Sequence, residues 1–194
     1  STHFEVGFAP PLISNFDRDP LIPTSNQSVD ITCNITDFDG TVDSVAVAWS
    51  DNPALTPDQF PKYAMALASG STDEYEYTIP NKPDGTWVRY YIYAVDNDTN
   101  ESYYPQKPIS QTVPNAEHYY VRDNGAKVYD IQFTTNPSGA SPLEGKTVTV
   151  TGIVTASTKL YDLGYVYIQD FGGSEWSGIW CRGTGISDLY RDEE

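Results

Sequence analysis

A chain of 194 residues, 39% of them hydrophobic, is long enough to bury the cores of two small domains. Its 27 acidic residues against 11 basic ones give a formal charge of −16, a field that repels phosphate backbones and disfavours a nucleic-acid grip by this chain alone. No apolar run reaches membrane-spanning length, and the two cysteines, Cys33 and Cys181, lie far apart without Cys-x-x-Cys spacing, which argues against a disulfide and a zinc site.

Period-two alternation, broken at short intervals by Pro, Gly, Asn and Asp, predicts an all-β protein of many short strands. Pro10 and Pro11 ahead of "LISNF" fit an opening edge strand. "SVDITCNIT" places Val29, Ile31, Cys33 and Ile35 on one face, with Cys33 as a small core hydrophobe. "VDSVAVAW" does the same with Val45, Val47 and Trp49, and "DEYEYTIP" with Tyr75, Tyr77 and Ile79. The one helical candidate, "TPDQFPKYAMALAS", is interrupted by Pro61. After a turn at Pro83-Asp84-Gly85, "TWVRYYIYAVD" aligns Val88, Tyr90, Ile92 and Ala94 toward the core. A last edge strand is expected over about Glu101 to Val113, which contains Pro105 and Pro108.

Seven strands in this span are the size of a β-sandwich. "ITCNITDFDGTVDSVAVAW" and "IPNKPDGTWVRYYIYAVDND", with Tyr90, Ile92 and Ala94, resemble segments of fibronectin type III or Ig-like modules of bacterial secreted proteins. The resemblance covers most of residues 10–113; it implies the fold and says little of function. The expected organisation is therefore a sandwich over 1–113, a polar linker over 114–127 and a second domain over 128–194. In the second domain, residues 147–157 alternate Thr with β-branched residues around Gly152, which suggests a bulge or sharp bend. "GYVYIQD" and "GIWCR" follow as strands, separated by a Gly172-Gly173 turn. "DIQ", "SPLEGKTVTVTGIVTA" and "YIQD", followed by a Gly-Ile strand, make residues 128–183 similar to an OB-fold-like domain that accompanies extracellular nucleases of the endonuclease/exonuclease/phosphatase type. A five-stranded OB barrel needs two strands more than can be found before Glu194. The barrel is thus expected to be incomplete, in a fragment of a larger protein or completed by another chain.

Three constellations are candidates for chemistry. Asp37, Asp39 and Asp43 surround Gly40 but lack the third loop ligand and the late Glu of an EF-hand. Asp39-Gly40 is also a strong hairpin turn. In an Ig-like sandwich the loop "VDNDTNES", with Asp96, Asp98 and Glu101, lies at the same pole. Two readings stand for these carboxylates, a bound calcium ion and solvated turns, the second favoured. The second constellation is Trp87, Arg89, Tyr91 and Tyr93, a row opposite the core-facing residues, expected outside the sheet as packing or an interface ahead of sugar stacking. The third is the OB-like face with Tyr165, Tyr167, Gln169, Trp176 and Trp180, where a sugar or a domain contact suits the acidic surroundings better than nucleic acid.

Catalysis has little support: the histidines are His3 and His118, and no nucleophile elbow, His-Glu-x-x-His or phosphate loop occurs. An acidic pair for glycoside hydrolysis stays open, with nothing to single out two carboxylates. Four Asn-x-Ser/Thr sequons occur at Asn26, Asn34, Asn97 and Asn100, and the start at Ser1 suggests a processed end. The expected function is a non-catalytic extracellular structural, adhesive or assembly module of a secreted bacterial surface protein, meeting other domains or subunits through sheet edges and the aromatic row. The alternatives are an accessory region of an extracellular nuclease, its catalytic domain beyond Glu194, and a carbohydrate-binding module.

Overall fold

The computed structural model describes residues 8–156 and 165–182. His3, the segment 157–164 and the tail from 183 onward lie outside the described residues. The chain divides into two compact units, Ser1–Val121 and Arg122–Glu194.

The first unit is a sandwich of two antiparallel sheets. One sheet orders its strands β1 (Leu12–Asp19), β2 (Val29–Thr36), β6 (Glu74–Ile79) and β5 (Ala66–Leu67) as β1-β2-β6-β5. The other orders β4 (Lys62–Ala64), β3 (Val42–Ser50), β7 (Trp87–Asp96) and β8 (Glu101–Tyr104) as β4-β3-β7-β8, with β9 (Glu117–Tyr120) also on β7. The alternation read from the sequence sets the core. Val29, Ile31, Cys33 and Ile35 of β2 are buried, as are Val45, Val47 and Trp49 of β3 and Val88, Tyr90, Ile92 and Ala94 of β7. Burial, with Glu74 adding to it, pushes the Cys33 thiol up to about 12, so this cysteine is an inert core group.

Three local readings change. The helical candidate over 56–69 is instead a single 3₁₀ turn, Pro57–Gln59, followed by β4 and β5. Phe60 NH bonds Pro57 O and the chain then extends through Pro61, whose ring would clash with a continuing helix. The last edge strand stops at Tyr104, ahead of Pro105, which has no amide hydrogen to give a ladder. The chain rejoins the same edge further on: β8 pairs Ile92–Val95 and β9 pairs Trp87–Tyr90. Residues 117–120, read from the sequence as linker, therefore complete the sandwich, and Tyr119 and Val121 belong to its core.

The second unit holds a five-residue helix, α1 (Val128–Gln132), and a three-stranded antiparallel sheet, β10 (Ile153–Ala156), β11 (Val166–Gln169) and β12 (Gly178–Cys181), in that order. Among the described residues this sheet does not close into a barrel. Of the predicted strand 147–157, residues 153–156 pair with β11, with a register shift between Val154 and Ala156, while Val150 forms an isolated bridge to Ala126. Gly152 is required for close approach: a Cβ there would stand 2.5 Å from Ile168 Cγ2 and 2.8 Å from Gln169 O.

These pairings predict where the sandwich ends. A fragment ending at Val121 is expected to unfold in one cooperative transition. A fragment ending at Val113, which lacks β9 and the buried Tyr119 and Val121, is expected to lose that transition or melt far lower by circular dichroism. Equal melting of the two fragments would show that β9 is dispensable.

Candidate functional site

The acidic loops of the first unit meet at one pole, where the side-chain amide of Asn97 joins them. Asn97 NH donates to Thr41 O at 3.0 Å, and Asn97 Oδ1 accepts from Thr41 NH at 2.6 Å. Asp37 Oδ1 accepts from the amides of Asp39 and Gly40, both at 3.2 Å. Asp39 Oδ2 accepts from Ala9 NH, and Asp98 Oδ2 from the Asn97 side chain. Asp43 is exposed on β3. Gly40 is fixed by this crowding, since a Cβ there would run into Asn97 Oδ1 and Asp37 Oδ2. Burial alone would raise the Asp96 carboxyl, but hydrogen bonds from the Asn100 side chain and from the Asn100 and Asp98 amides outweigh it and hold it low. Among the described residues, no three His, Cys, Asp or Glu side chains are placed to hold a metal ion. Asp37 and Asp96 each accept from backbone amides of their own loop, the bonding that closes a turn.

The aromatic row of β7 is not an open platform. Tyr91 is only 2% exposed, because the segment after β3 folds back and lays Phe60 against it, ring centroids 6.3 Å apart. Arg89 pins that segment by donating to Asn52 O and Leu55 O, and its guanidinium stacks on Trp87 and Phe60. Lys62 Nζ sits 3.5 Å from the Tyr93 ring centroid. The Tyr93 and Tyr103 hydroxyls both donate to Glu101, which holds that carboxyl below its ordinary value of 4.5. His118 is buried in β9, edge-on to Trp87 and Tyr120. The row is thus internal packing of this unit. Sequence reasoning missed Phe60, whose position between Gln59 and Pro61 gives no periodic signal.

The second unit presents the open site. Val166 and Ile168 share one face of β11 and Tyr167 and Gln169 the other, by the two-residue period of a strand. Tyr167 is the cross-strand partner of Trp180 in β12, and the two side chains are 38% and 58% exposed. Together with Gln132, Thr155, Ile168, Gln169, Gly178 and Ile179, they line a groove of about 200 Å³. Tyr165 meets Trp180 edge-on at 4.8 Å. Trp176 falls outside this lining, in the turn between β11 and β12, against Phe133. Among the described residues, the groove walls carry two side-chain amides, one aliphatic hydroxyl and the Tyr167 phenol, and no charged side chain.

One wall depends on α1, and three sequence motifs converge on that helix. Asp170, ending "YIQD", accepts from the Val128 and Tyr129 amides at 2.7 and 2.9 Å. Asp130 of "DIQ" is buried, takes a bidentate grip from Arg122 and accepts from Lys127 NH. Ser141, which opens "SPLEG", donates to Ile131 O at 2.6 Å and accepts from Leu143 NH. Held at both ends, α1 directs Gln132 to the groove, where Nε2 donates to Gly178 O at 3.3 Å. The amide of Gln132 was not singled out from sequence because it reaches the sheet from a separate element.

No protein-family model matches the chain, and no curated protein matches it significantly.

Two outcomes are expected. Asp130→Ala removes the bidentate partner of the largely covered Arg122 and should cost roughly 3 kcal/mol in urea unfolding of the second unit, whereas Asp170→Ala, which removes a helix cap, should cost about 1 kcal/mol. Asp96 and Glu101 are both lowered in the fold from ordinary values of 3.8 and 4.5. Their stabilisation is therefore fully present above those values and is lost as pH falls through the folded ones. Calorimetry between about pH 5 and pH 3 should show a falling melting temperature, with a shallower slope in Glu101→Gln, which has no carboxyl to protonate. Glu117, raised by burial and only partly relieved by Arg18, acts with the opposite sign, and its contribution is lost as pH rises.

Proposed function

We propose that this chain is a non-catalytic, extracellular adhesion region of a secreted protein, and that its second unit holds neutral carbohydrate in the Tyr167–Trp180 groove. The observation that carries this reading is the composition of the groove: two exposed aromatic rings beside two side-chain amides and an aliphatic hydroxyl, with no charged side chain among the described residues that line it. A sugar ring has an apolar C–H face and a rim of hydroxyls that both donate and accept. Aromatic rings suit the face, and Gln132, Gln169 and Thr155 suit the rim. The chain's charge of −16 opposes a polyanionic ligand such as nucleic acid. The sandwich serves in this reading as the rigid spacer, since its own aromatic row is occupied by Phe60, Arg89 and Lys62.

Electrophoresis through gels containing hydroxyethyl cellulose, arabinoxylan, glucomannan, β-1,3-glucan or soluble starch tests the reading. The protein is expected to be retarded in at least one gel. Trp180→Ala should weaken that retention by about tenfold, the scale of one lost aromatic contact. Free migration in every gel, or full retention by Trp180→Ala, would overturn it.

A further inference from the structure

The turn between β11 and β12 carries a feature the groove does not use. Trp176 has φ +64°, in the left-handed region that a bulky side chain rarely adopts, yet its indole is 51% exposed. Burial therefore does not offset the strain. The surrounding backbone holds it in place. Ser177, 3% exposed, accepts from Ser174 NH at 2.7 Å through its hydroxyl and returns a bond to Ser174 O at 2.5 Å. Asp170 NH donates to Ser177 O at 2.8 Å. A strained residue fixed by its neighbours and left facing solvent is the kind of outlier that accompanies a ligand contact.

Its place in the fold says which ligand. Gln132 lines the groove, and the next residue, Phe133, meets the Trp176 indole edge-on at 6.4 Å while stacking on Tyr129 at 5.0 Å. The groove and the Phe133–Trp176 ring pair are thus joined through two consecutive residues, Gln132 and Phe133. Trp176 and Trp180 are four residues apart, at most roughly 14 Å along the chain. Separate platforms linked by an amide suit a ligand of repeating rings better than one ring.

We propose that Trp176 is a second sugar platform, continuous with the Tyr167–Trp180 groove through Gln132, so that the site takes a neutral glycan chain several units long. This rests on the carbohydrate reading of the groove and adds the length of the ligand and the residue that measures it. The positive φ fixes the direction in which the indole leaves the turn, and the Ser174–Ser177 and Asp170–Ser177 bonds hold that backbone without ligand.

The experiment is calorimetric titration of the full chain with gluco-, xylo- and manno-oligosaccharides of increasing length, up to the hexamer. Affinity is expected to rise about tenfold from the shortest ligand bound to the longest, on the scale of one further aromatic contact. Trp176→Gly should abolish the rise, leave the shortest ligand's affinity unchanged and raise the melting temperature, because glycine adopts the left-handed region without strain. A variant of merely structural importance would not become more stable while losing only the longer ligands. Wild-type affinity independent of length, or a length dependence that survives in Trp176→Gly, would overturn the second platform while the groove reading stands on its Trp180→Ala result. Failure of the wild type to bind any of these oligosaccharides or polysaccharides would overturn both.

Discussion

Aspartate oxygens that accept backbone amide hydrogens hold the turns of both units. Turn amides have no ladder partner, and an unpaired backbone donor is costly once water is excluded. With 27 acidic residues and 11 basic ones, most carboxylates here cannot be matched by a cation. Asp37 and Asp96 close the two loops at one pole of the sandwich, and Asp170 and Asp130 set the first turn of α1. The groove depends on this bond type as much as on its rings. Gln132 faces Gly178 because α1 is docked, and α1 is docked because Asp170 of one strand end accepts two of its amides.

What was legible in the sequence was whatever depended on near neighbours in the chain. The faces of β2, β3 and β7 follow from period-two alternation, which is local, and the core residues read from it are buried. The alternation that puts Tyr167 and Gln169 on one face of β11 follows from the same rule, and with Trp180 it brought three of the eight groove-lining residues into view. What escaped was non-local. Tyr91 sits on the outer face as its strand position requires, yet it is covered by Phe60, thirty-one residues earlier in the chain. The strand β9 escaped because "EHYY" lies among polar turn residues and owes its pairing to an edge that β8 leaves vacant after Tyr104. The backbone of Trp176 carries no sequence signal, because nothing in "SEWSG" marks the tryptophan rather than a glycine for the left-handed position.

The "DIQ", "SPLEG" and "YIQD" motifs show how a family-like signature can be structural. Each supplies a residue to the same five-residue helix, at its start, within its first turn or near its end. None of those three residues lines the groove. Their role is to fix the frame on which the lining residues are displayed, so substitutions of Asp130, Ser141 or Asp170 would act on the groove through the position of Gln132.

The cations of the sandwich follow a separate pattern. Residues 1–121 contain five Lys and Arg against seventeen Asp and Glu, a difference of −12. Arg18 lies on Tyr119, Lys62 on Tyr93, Lys82 on Trp49, Arg89 on Trp87 and Phe60, and Lys107 on Tyr103. All five are seated on aromatic rings, a contact worth about 0.5–1 kcal/mol at exposed sites. The side chains that could bridge one copy's carboxylates to another's are thereby tethered to their own sheet, and neighbouring copies meet with like charge on like charge. At physiological salt the repulsion between sandwiches of this charge reaches over the roughly 8 Å screening distance.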